Sequence, residues 1–119
     1  MNSMLQPNIN VIDFQVLSAC VADKEGQIEI LRSFHNENLD DIADLNAALA
    51  LADGEAAAKT AHRMKGVSRM VGAQEMQEIC LQIETAAKQN DLIAAMKSNS
   101  LLADAMRRIE ALITKHASN

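Results

Sequence analysis

The sequence predicts an all-α domain, an antiparallel four-helix bundle with a short additional N-terminal helix. Three observations predict it. Ala, Leu, Ile and Met dominate, with one Pro, no Trp and no Tyr, so strong helix formers fill nearly every stretch and strand-forming residues are few. Apolar residues recur at the helical period over four segments. The breaks between those segments are short and carry Gly, Asn or Asp, and short connections make consecutive helices antiparallel neighbours.

Residues 1–9 read as an irregular leader containing Pro7, residues 10–116 as the helical domain and 117–119 as a frayed tail. A short helix over 11–20 is expected to bury Val11, Phe14, Leu17 and Cys20. A long one over 24–52 carries Ile28, Leu31, Leu39, Ile42, Leu45 and Leu49 inward and stops at Asp53-Gly54. The segment 55–71 is expected to bury Ala57, Ala61, Met64, Val67 or Ser68, and Val71, and Gly72 breaks it. The segment 73–88 buries Met76, Ile79, Cys80, Ile83 and Ala87, followed by a break and an N-cap at Asn90-Asp91. A single helix over 91–116 turns Leu92, Met96, Leu102, Met106, Ile109 and Ile113 inward. At 1.5 Å per residue the outer two helices would be about 40 Å long and the central two about 25 Å.

A chain of 119 residues fits one domain with one core. No apolar run approaches the roughly 20 residues a bilayer requires. The N-terminus has no basic region followed by an apolar one, so a signal peptide is not expected and a cytoplasmic setting is. Cys20 and Cys80 lie in different segments without a CxxC partner, which points to reduced, buried thiols. A net charge of −5 and only two aromatics argue against nucleic acid as a partner. The charge is uneven, however: between Lys59 and Arg69 stand Lys59, Arg63, Lys65 and Arg69 and no acid. A basic island on an acidic protein suggests an acidic partner.

On a helix over 55–71, Ala58, His62, Lys65 and Arg69 share one stripe, and Ala61, Met64, Ser68 and Val71 form the buried one. His62 is expected to face solvent, with Lys65 one turn on and Gly66 beside it. Glycine in mid-helix costs about 1 kcal/mol relative to Ala, and close approach of another molecule would explain it. Two antiparallel helices turning at Gly72-Ala73 bring His62 level with Glu84. A carboxylate there can hold the proton of one ring nitrogen and leave the other as a nucleophile. An exposed imidazole beside a lysine suits phosphoryl transfer, which needs in-line geometry and charge neutralisation above all.

The stretch Ala61-His62-Arg63-Met64-Lys65-Gly66, continuing to Val71-Gly72-Ala73 and then to Cys80 and Ile83-Glu84, resembles the signature of histidine-containing phosphotransfer (HPt) domains. That signature reads A-H-x-L-K-G-x-x-x-x-[LIV]-G-A, followed by a helix with Leu-Glu. Met64 and Ile83 stand where Leu is usual, which keeps apolar volume. The resemblance implies that His62 is phosphorylated, that Lys65 neutralises the phosphate, that Gly66 leaves room for the partner and that Glu84 orients His62; Lys88 would also approach the phosphate. It implies receiver domains of response regulators, or of a bacterial hybrid sensor histidine kinase, as partners, in a multistep phosphorelay. Gly66, Arg69, Arg63, Lys59 and Met70 would form the docking face. No cofactor is expected on this chain, with Mg2+ expected on the receiver, and a monomer is expected. There is no P-loop or glycine-rich ATP box, so the chain is not expected to act as a kinase on its own. The competing reading is a non-catalytic helical module that docks an acidic partner through its basic face. A metal-binding bundle is disfavoured, because the inward faces lack Glu-x-x-His pairs. His35 and His116 have no comparable setting; His116 is expected in a frayed terminus.

Overall fold

A computed structural model describes residues 9–119; residues 1–8 of the expected leader lie outside the described residues. The described residues fold into six α-helices without strands: α1 (Phe14–Cys20), α2 (Lys24–Ala50), α3 (Gly54–Val71), α4 (Gln74–Lys88), α5 (Leu92–Asn99) and α6 (Leu102–Ser118). The all-α class is the one the composition predicts. No helix among them is long and apolar enough to cross a membrane.

Four helices start on an aspartate. Asp13, Asp23, Asp53 and Asp91 each accept a hydrogen bond from a backbone N–H of the first turn, satisfying donors that the helix itself leaves orphaned. The first cap moves the start of α1 from the expected 11 to 14, leaving Val11 and Ile12 in a bend before the helix, although Ile12 is still buried. The N-terminus of α4 has no side-chain cap. The preceding segment supplies one instead: the Asn10 carbonyl accepts from Glu75 N–H, and Gln74 Oε1 accepts from the Asn10 backbone and side chain.

The stripe of α2 runs through Gln27, Leu31, Phe34, Asn38, Leu45, Ala48 and Leu49. Leu39, expected inward, is half-exposed, because Asn38 holds the i+4 position after Phe34 and Leu39 falls a further 100° round. Ile28 and Ile42 are only partly buried.

The expected helix over 91–116 is divided. Ser98, Asn99 and Ser100 are poor helix formers whose side chains compete for backbone groups. The Ser100 hydroxyl donates to the Lys97 carbonyl, and Leu101 N–H donates back to Ser98. The break changes the phase of α5, so its buried residues are Ala95 and Ser98 while Met96 is exposed. Gln82 accepts from Ser98, and Asn46 accepts from Asn99, tying α5 to α4 and α2.

α6 continues to Ser118, past the expected end at 116. His116 is not frayed: its Nε2 donates to Gln27 Oε1 at 3.0 Å and its ring lies 4.9 Å from that of Phe14. Gln27 in turn donates to Ser18 and to the Val21 carbonyl, so one buried amide joins α1, α2 and α6. Arg108 on α6 grips Glu75 on α4 through three N–H donations at 2.7–3.1 Å. Of the two thiols expected to be buried, one is and one is not. Cys80 is buried, and that burial pushes it up to about 12, so it stays protonated. Cys20 is exposed and donates to the Met70 carbonyl.

Candidate functional site

The site is built on the α3–α4 hairpin, the most extensive helix pair of the fold. Small residues permit it: α3 buries Gly54, Ala57, Ala58 and Ala61, and α4 buries Cys80, Ala86 and Ala87. Small side chains at a contact shorten the distance between helix axes. A Cβ on Gly54 would stand 2.9 Å from the Ala87 carbonyl oxygen. The turn between the helices requires Gly72, whose φ of +82° lies in the left-handed region. Ala73 N–H then closes the end of α3 onto the Ser68 carbonyl.

This hairpin sets His62 beside Glu84. The imidazole is 68% exposed and the carboxylate 4% exposed, with Nδ1 and Oε2 2.8 Å apart. Glu84 also receives the Lys65 ammonium on Oε1 at 2.7 Å and the Lys88 ammonium on Oε2 at 3.0 Å. Burial alone would push this carboxyl up. The hydrogen bonds from Lys65, Lys88 and His62 outweigh it and bring Glu84 down from 4.5 to about 2. Glu84 is therefore ionised at neutral pH and can only accept. Its partner Nδ1 must carry the proton, which leaves the Nε2 lone pair as the nucleophile on the solvent side.

The other expected residues fall around this centre. Gly66 is exposed, and a Cβ built on it meets nothing within 4 Å. Lys59, Arg69 and Met70 are exposed on the same side of α3. Arg63, expected on the docking face, donates to Asp41 of α2 at 2.6 Å and keeps its side chain about half-exposed. Lys65, expected to be available to a phosphate, is engaged with Glu84. Beyond His62 toward the start of α3 lies an open groove of about 690 Å³, lined by Gly54, Ala58, Lys59, Ala87 and Lys88 among others. This groove was not legible as such in the sequence. Its signal was present in the Gly and Ala residues of α3 and the Ala pair of α4, which read there only as helix formers. The Lys88–Glu84 pair was likewise visible as an i, i+4 spacing.

The arrangement offers one exposed nucleophilic nitrogen, a buried anion that fixes its tautomer, and two lysines within reach. Compared with families of known proteins, residues 29–114, well over half of the chain, match the Hpt domain. Comparison with curated proteins and with solved structures gave no match. Hpt domains serve histidine phosphotransfer in phosphorelays and interact with receiver domains. With the match extending from α2 to α6 and containing the whole His62–Glu84 site, the chain belongs to the Hpt domain family.

Proposed function

We propose that His62 accepts a phosphoryl group from a receiver-domain aspartate and passes it to the aspartate of another receiver. The observation that carries this is the 2.8 Å contact between Nδ1 and the ionised Glu84, with the rest of the imidazole open to solvent. In the forward step the Nε2 lone pair attacks phosphorus, the aspartyl O–P bond breaks and the aspartate leaves as a carboxylate. The new N–P bond gives the ring a positive charge while Nδ1 keeps its proton. Glu84 offsets that charge, so one contact serves both the nucleophile and the product. Lys65, and Lys88 beside it, can turn from Glu84 toward the phosphoryl oxygens as negative charge arrives. Mg2+ and the acidic pocket belong to the receiver. Gly66 lets the receiver approach the helix backbone, and Lys59, Arg69 and Met70 belong to the surface it covers.

The test mixes the protein with receiver domains charged with labelled phosphate and follows label on this chain. We expect acid-labile, alkali-stable label on the wild type and none on His62→Gln. Label that persisted in His62→Gln would reject phosphotransfer through His62 and favour a docking module without chemistry.

A further inference from the structure

The basic island of α3 holds four cations, and the structure separates them into two kinds. Arg63 is held by Asp41 at 2.6 Å, with Asp44 also nearby, and Lys65 is held by Glu84 at 2.7 Å. Lys59 and Arg69 are exposed and, among the described residues, neither has an ion-pair partner. Glu55, one turn before Lys59 in the same groove, makes no ion pair with it. Lys88 faces that groove too and shares Glu84 with Lys65, so these three side chains together keep one positive charge beside His62.

The two unpaired cations of the island stand on opposite sides of the His62 ring. Lys59 precedes His62 by three residues, and Arg69 follows it by seven. Ten residues of helix place them about 15 Å apart along the axis. Between them lie the imidazole and the open space over Gly66. The chain as a whole carries −5, so an acidic partner is repelled elsewhere and attracted here. Arg63, whose charge Asp41 cancels within 3 Å, adds little to that field.

We propose that Lys59 and Arg69 are the two charges that seat the receiver astride His62, and that Arg63 belongs to the α2–α3 packing instead. The inference rests on the phosphotransfer reading above. It specifies the partner: a receiver with carboxylates on both sides of its phosphorylated aspartate, spaced to meet two cations about 15 Å apart. Selection among receivers would follow that spacing.

The experiment measures transfer to the full chain from a receiver that labels the wild type, as KM and kcat separately. The variants are Lys59→Gln, Arg69→Gln, their double, and the charge-neutral pair Arg63→Gln with Asp41→Asn. Each single loss should raise KM about threefold, and the double about tenfold because the sites are well separated. The rate at saturation should stay unchanged, and the effects should shrink at high salt. The Arg63/Asp41 pair should leave KM within twofold, with thermal unfolding reporting any cost to the fold. Unchanged KM in the Lys59/Arg69 double would overturn the inference while leaving phosphotransfer intact, and so would a KM increase confined to the Arg63/Asp41 pair. Label that did not depend on His62 would remove the reading beneath it.

Discussion

Position 66 sets stability against function. A Cβ on Gly66 would meet nothing within 4 Å, so no packing in the domain requires the glycine. Mid-helix Gly costs about 1 kcal/mol relative to Ala. Gly66→Ala is therefore expected to raise the unfolding free energy by about that amount in urea titrations. Under the proposed function, transfer from a charged receiver should slow, because the added methyl would enter the space assigned to the partner. At position 84 the carboxyl is held down to about 2 by Lys65, Lys88 and His62 against the opposing effect of burial. The folded state thus keeps Glu84 ionised over a range where the unfolded chain takes up a proton. That stabilisation is complete above 4.5 and is lost as pH falls toward about 2. Urea titrations at about pH 5 and pH 2 should show a smaller pH-dependent loss for Glu84→Gln than for the wild type. The amide can still accept from Nδ1, so this variant should keep part of its transfer activity, whereas Glu84→Ala should lose nearly all of it.

Among the helices, the α3–α4 hairpin decides whether the site exists. Its turn is locked from outside: Asp13 N–H donates to the Gly72 carbonyl at 2.7 Å, and a Cβ on Gly72 would stand 2.6 Å from the Asp13 carbonyl. Gly72→Ala combines a left-handed backbone with that collision. It is expected to cost about 2 kcal/mol or more, seen as a lower denaturant midpoint with unchanged slope. The sequence showed this turn, since Gly72-Ala73 between two amphipathic runs has no helical reading. It did not show that Asn10 and Asp13 would close over it, because such contacts join residues about 60 positions apart. The division of α5 from α6 was signalled by Ser98-Asn99-Ser100, but the apolar period on either side masked it. The burial of Ala95 and the bonds from Ser98 to Gln82 and from Asn99 to Asn46 show where α5 is held.

For the whole molecule, burial is uneven. Ala57, Ala61, Met64, Met76, Ile79, Cys80 and Ile83 of the hairpin are completely buried. In α5, Ile93 is 81% and Met96 47% exposed in a helix of eight residues. Native-state hydrogen exchange should therefore be slowest in α3 and α4, near the global unfolding limit, and at least about tenfold faster in α5. Equal protection across both would show that α5 opens only with the core. The sequence by itself determined the helical class, the central hairpin and the level of His62 against Glu84. Those follow from the period of the helix and the position of one turn, both of which are local. Only the tertiary structure decided that Leu39 and Met96 face out and that His116 is anchored on Gln27. It alone decided which cations of the basic island are neutralised. Each of these depends on what a neighbouring helix places opposite, and Arg63 differs from Lys59 because α2 brings Asp41 to one and no carboxylate to the other.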